Sequence, residues 1–250
     1  MKKLLTLAVI LLTLAARAQE PDYPIDTIQF FDHNWKQVKE RKAIYLLRIS
    51  QLADSSWQYS YYNMYGPAIR IETYKDQAAK IPHGLFVWYN NDGELDSTGY
   101  FYEGQRDDMW SYPARDTAEY YEKGHLLTKN EVTDLFRQRA IPDPNFPDHN
   151  RPTPEAYYPG SWEAYLAAHL QYPRRAVINK ITGNVIVDFW VEPTGKIAHP
   201  CVSQSVEISL DDEALWLIQN SHDWVPAIRG SRRVRGYKRQ PFAFRLEPRL

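Results

Sequence analysis

Cysteine occurs once in the 250 residues, at Cys201. An internal disulfide is therefore excluded, although an exported chain can use one. Glycine (11) and methionine (3) are scarce, and 44% of the residues are hydrophobic and 24% charged. That is globular composition, neither fibrous nor wholly disordered. Charge of one sign is lacking too: 30 basic residues against 31 acidic leave a formal net charge of -1, which excludes general nucleic-acid binding. The seven histidines are scattered, with no pair at helical metal spacing, so neither a metal site nor a cofactor is expected. Phosphate-loop, Gly-x-Ser-x-Gly and dinucleotide fingerprints are missing, and no enzymatic activity is expected. After the first 18 residues no apolar run approaches the roughly 20 residues that cross a bilayer.

Aromatic residues, in contrast, are abundant: 18 Tyr, 8 Trp and 9 Phe. They favour β-structure, so sheets are expected to carry much of the core. Length alone fits one large domain or two small ones.

The first 18 residues differ in kind. Lys2 and Lys3 precede an apolar run from Leu4 to Ala15, and Ala16-Arg17-Ala18 has the small-x-small pattern of a signal-peptidase site. Residues 1–18 thus read as a signal peptide cleaved before Gln19, and the mature protein as periplasmic. The alternative is an inner-membrane anchor over residues 4–16. No Cys follows the cleavage site, which excludes a lipid anchor there. Charge then divides along the mature chain: Ser161 to Leu250 holds 12 basic and 9 acidic residues, net +3, against net -7 for Gln19 to Gly160. Two units with different partners are expected.

The boundary falls at residues 141–160, which hold six of the 17 prolines and read as a semi-extended linker. Whether it acts as a free tether or lies on the surface stays open. Before it, residues 19–140 look repetitive. His83-Gly84-Leu85-Phe86-Val87-Trp88-Tyr89 runs into Asn91-Asp92-Gly93. Gly99-Tyr100-Phe101-Tyr102-Glu103-Gly104 follows, and Trp110 opens the next round. Turn dipeptides flanked by aromatics indicate stacked β-hairpins, and the rhythm resembles MORN-type repeats. The rings read either as packing between hairpins or as an exposed surface for stacking carbohydrate or peptide.

From Ser161 the pattern changes. Ser161 reads as an N-cap, followed by Trp162, Tyr165, Leu166, His169 and Leu170 at helical spacing. Pro173 opens a second short helix that Gly183 ends. Val185, Val187, Phe189 and Val191 share one face of a strand, and a turn at Pro193-Thr194-Gly195-Lys196 returns the chain over Ile197 to Ser203. Ser209 to Asp212 fits a capping box for a helix with an apolar stripe at Leu210, Ala214, Leu217 and Ile218. A last strand is expected over about Val234 to Leu246. The fold class is therefore α+β: an antiparallel hairpin-repeat domain, then a three-stranded antiparallel sheet with helices on one face.

Gln171-Tyr172-Pro173-Arg174-Arg175-Ala176, Glu192-Pro193-Thr194-Gly195-Lys196-Ile197, Trp224-Val225-Pro226-Ala227 and Pro241-Phe242-Ala243-Phe244-Arg245-Leu246 together resemble the TonB C-terminal domain. The Pro159-Gly160 before the first helix is similar to the version found in Bacteroidetes. The resemblance implies a periplasmic domain that binds the extended TonB-box peptide of an outer-membrane transporter, or another envelope protein, by β-augmentation along its last strand. It carries Gln171, Tyr172 and Pro173 over as peptide-binding residues, with the edge that holds Tyr237, Arg239, Pro241, Ala243 and Arg245. Pro241 itself cannot donate to a ladder, so its strand is expected at a sheet edge. Pairing of that strand with another segment of the chain would exclude capture there. Energy-transducing TonB proteins have an uncleaved anchor and a long spacer; the expected cleavage puts transduction, not binding, in doubt. An envelope scaffold without transporter coupling is the alternative function.

Two weaker features complete the reading. Arg229, Arg232, Arg233, Arg235, Lys238 and Arg239 place six cations in eleven residues, either a solvated loop or a contact for an anionic envelope surface. His199 and Cys201 lie two apart in a strand; a packed cysteine is expected rather than a dyad.

Overall fold

The computed structural model describes residues 26–142 and 155–246. Residues 1–25, which include the expected signal segment, most of the Pro-rich stretch and the last four residues lie outside it.

Hairpin turns at Gly66, Gly93 and Gly104 join short aromatic strands into a meander. The strands are β1 (Asp26–Phe31), β2 (Tyr45–Gln51), β3 (Trp57–Asn63), β4 (Ala68–Tyr74), β5 (Gly84–Tyr89), β6 (Leu95–Tyr102), β7 (Gln105–Tyr112), β8 (Thr117–Glu122) and β9 (His125–Leu126). They form one nine-stranded antiparallel sheet in simple sequential order. Its two faces differ. One carries a chain of rings in mutual contact, including Tyr59–Tyr74, Tyr74–Phe86, Phe86–Phe101 and Phe101–Trp110. A Cβ on Gly99 would lie 2.2 Å from the Trp110 indole, so glycine lets that ring lie flat on β6. The opposite face, with Leu46, Arg48, Tyr62 and Val87, is turned toward the C-terminal unit.

Helix α1 (Lys129–Arg139) starts at a capping box between Thr128 and Glu131. β10 (Ile141–Pro142) then pairs with a strand near the C-terminus. The C-terminal unit comprises α2 (Trp162–His169), α3 (Arg174–Asn179), β11 (Gly183–Val191), β12 (Ile197–Gln204), α4 (Ile208–Gln219), a small hairpin of β13 (Ala227–Arg229) and β14 (Arg232–Val234), and β15 (Gly236–Phe244). Its main sheet has the order β12-β11-β15, all antiparallel. Mixed α and β with segregated antiparallel sheets agrees with the expected class. Val185, Val187, Phe189 and Val191 are fully buried beneath Leu210, Ala214, Leu217 and Ile218 of α4, with Phe242 and Phe244 from β15.

Three local expectations need correction. Glu207, not Ser209, caps α4: its carboxylate accepts from both the N–H and the hydroxyl of Ser209. Lys180, in the left-handed region at φ 54°, ends α3, while Gly183 opens β11. The last strand is split, because Arg235 leaves β14 to start β15, and it stops at Phe244. On either side of residues 143–154 the chain is held on the C-terminal unit. Ile141 and Pro142 pair with Arg233 and Arg232, and Tyr157 exchanges backbone bonds with Val225.

The two units pack on each other through a mixed seam. Ile208 of α4 joins Leu46, Tyr62, Met64 and Ala68 in one apolar cluster, and Cys201 joins Ile71 and Val87 in another. Around them Arg48 pairs with Asp212, the Ala68 N–H donates to Ser205 Oγ, and Tyr89 donates its hydroxyl to the Val202 carbonyl at 2.8 Å.

Candidate functional site

The two edges of the C-terminal sheet are not equivalent. β12 is blunted. Pro200 has no N–H to offer, His199 has φ 50° beside an irregularity in the β11 register, and Gln204 forms a bridge with Glu94 of the N-terminal unit. The Ser205 N–H donates to the Gly93 carbonyl at 2.7 Å, and Gln204 Nε2 donates to the Asp92 carbonyl. β15 pairs with β11 in unbroken register from Gly236↔Val191 to Phe244↔Gly183, and among the described residues it has no second strand partner.

Tyr237, Arg239, Pro241 and Ala243 have one parity, so their side chains share a face and their backbone groups point to one side of the strand. Pro241 cannot donate, which suits a side directed away from β11. All four are exposed. Tyr237 packs edge-on against Trp190, with ring centroids 5.4 Å apart. Arg239 donates through Nε and Nη2 to both oxygens of Asp188 at 2.9 and 2.8 Å. That pairing raises the guanidinium pKa; burial and the same carboxylate raise the Tyr237 phenol. Arg245 closes the far end, donating to the Gly183 carbonyl and to Asn184 Oδ1.

Gln171, Tyr172 and Pro173 lie at that far end. The Gln171 N–H donates to Glu213 at 2.7 Å, the Tyr172 hydroxyl donates to the Ile181 carbonyl at 2.6 Å, and its ring meets Phe244 edge-on. Pro173 is the N-cap of α3. The three are thus brought beside the end of β15 rather than along it. The six cations do not gather in one patch. Arg229 pairs with Glu155, Arg232 donates to the Ala140 carbonyl and Arg239 holds Asp188. Arg235 is buried, its side chain 5% exposed, between Glu192 at 2.9 Å and Asp108 at 3.6 Å. Arg233 lies in β14 and Lys238 in β15.

Residues 168–246 match the family described as Gram-negative bacterial TonB protein C-terminal. The TonB-type segment thus includes α3, α4 and the whole of the β12-β11-β15 sheet. No curated protein and no solved structure matches the chain.

Sequence reasoning missed what lies over the outer face of the TonB-type sheet. Between that face and strands β6 to β8 of the N-terminal unit is a cleft of about 460 Å³. Tyr100, Trp190 and Tyr237 give it aromatic walls, while Asp108, His199 and Arg235 form its polar end. Burial opposes a charge on Asp108, but the hydrogen bond with His199 and the nearby Arg235 prevail and hold its carboxyl down at about 2. Cys201 also borders the cleft, and burial pushes its thiol up to about 12. Among the described residues, no cluster of three or more His, Cys, Asp or Glu could hold a metal, and no helix is long and apolar enough to cross a membrane. The signal for this cleft was a row of small residues, Thr98, Ser111 and Ala118, on neighbouring strands.

Proposed function

We propose that the protein is an exported, periplasmic binding protein, not an enzyme. Its TonB-type domain takes up an extended peptide, such as the TonB box of an outer-membrane transporter, as an extra strand along β15. The observation that carries this reading is the contrast between the edges: β12 is bridged and bulged, while β15 offers nine residues in regular register and no second partner among the described residues. Backbone bonds to such an edge supply affinity without demanding a fixed sequence, as a binder of varied extended peptides requires. The MORN-like hairpin sheet serves as the platform on which that domain is seated, and residues 1–18 direct export.

Titration of the full mature chain with a TonB-box peptide tests this. Saturable binding is expected. Ala243→Pro, which removes one more donor of the same parity as Pro241, is expected to abolish it while leaving the far-ultraviolet circular dichroism unchanged. Absence of saturation at millimolar peptide overturns the reading and favours an envelope scaffold.

A further inference from the structure

A strand added along β15 would not meet solvent on both of its faces. In an antiparallel pair, directly opposed residues project to the same side of the sheet. Guest residues opposite Tyr237 and Arg239 therefore project to the side that faces the cleft. The exposures locate its mouth there. The Tyr237 residue is 44% exposed and the Arg239 side chain 56%, whereas the side chains of Asp108 and Arg235, at the inner end, are 18% and 5% exposed.

The lining has a definite chemical character. Each cation pairs with an acid, Arg239 with Asp188 and Arg235 with Glu192 and Asp108, while His199 Nε2 stands 3.0 Å from Asp108. The charges on the sheet face and at the inner end are thus met within the protein; Asp116, an exposed residue that also lines the cleft, is the one for which no ion pair is formed among the described residues. The remaining walls are aromatic rings, the aliphatic side chains of Leu85, Leu95 and Met109, and small residues, so the space suits a bulky apolar group that can stack. Moreover, the roof belongs to the other unit: Thr98, Ser111 and Ala118 keep it clear by being small.

We propose that this cleft is the side-chain specificity pocket of the β15 site, and that it selects peptides with an aromatic residue at the position opposite Tyr237 or Arg239. The N-terminal unit is then half of the recognition site, not only a platform. The proposal rests on the reading of β15 as the capture edge.

The test uses the full mature chain and a TonB-box peptide with Trp or Ala placed at each position in turn, followed by fluorescence anisotropy. One position, or two positions two apart, is expected to bind about tenfold more tightly with Trp than with Ala, the discrimination typical of an apolar pocket. Ala118→Trp, at an exposed strand position that tolerates a large ring, fills the cleft. It is expected to erase that preference and leave the Ala peptides unaffected; Ser111→Leu provides a second, smaller plug. Binding without any positional preference for Trp overturns the pocket and leaves β15 capture standing. So does a preference that survives both plugs. Failure of every peptide to bind overturns capture at β15, and the pocket with it.

Discussion

Arg48 of strand β2 grips Asp212 of helix α4 through two guanidinium nitrogens, Nη2 donating to Oδ1 at 2.7 Å and Nη1 to Oδ2. The residues are 164 positions apart in sequence, and their pairing fastens the nine-stranded sheet to the TonB-type segment. Arg48 is 8% exposed, at the margin of the apolar cluster around Leu46 and Ile208.

Removing one partner leaves the other charge desolvated beside Asp211. Arg48→Met is expected to lower stability by about 3 kcal/mol, whereas Arg48→Met with Asp212→Leu recovers most of the loss, because the two apolar side chains satisfy each other. Urea unfolding of the single and double variants checks this. Additive losses would show that the two side chains are not coupled.

Asp211 beside it gives the seam a pH dependence. Burial pushes its carboxyl up to about 7, against the opposing effect of hydrogen bonds from the Ser205 hydroxyl, the Val206 N–H and the Tyr62 hydroxyl. An acid with a raised folded pKa retains its proton in the folded state while the unfolded chain, at an ordinary 3.8, has lost it. Its contribution is therefore most favourable below about pH 4 and declines as pH rises toward 7. Asp211→Asn is expected to gain on the native protein between pH 5 and pH 8 in urea midpoint. A constant difference across that range would contradict the assignment.

Gly99 and Trp110 test the outer face of the large sheet. Gly99→Ala places a methyl inside the indole's volume, since the nearest ring carbon is 2.2 Å from the added Cβ. The ring must leave its site on β6, at a cost of about 1–3 kcal/mol. A lower thermal midpoint and a red-shifted tryptophan emission are expected, and wild-type values for both would remove packing as the reason for the glycine.

The sequence was most legible where one element explains itself. Alternation at Val185, Val187, Phe189 and Val191, the stripe of α4, and turns at Gly93 and Gly195 are local patterns with one physical solution each. Pro241 pointed to a sheet edge for the same reason. The glycine-to-tryptophan rhythm was visible, and Gly99 under Trp110 supplies a steric reason for one of its pairs. What stayed hidden depends on distant partners. Asp211 and Asp212 read as helix-start acids, yet they face Tyr62 and Arg48. Opposite net charges suggested different partners for the two units, yet Asp108 of one is paired with His199 and Arg235 of the other. Pro200 in β12 was an unused sign that this strand, too, lies at an edge.

The bridge between Glu94 and Gln204 has a stoichiometric consequence. With β12 capped, β15 is the edge of the β12-β11-β15 sheet left without a second strand partner among the described residues. Copies of the protein therefore cannot queue into a continuous ribbon through it. Two copies meeting β15 to β15 use up both free edges, and such a pair is closed to further growth and to any guest. Self-association through β15 and the proposed peptide uptake would thus be mutually exclusive occupancies of the same edge.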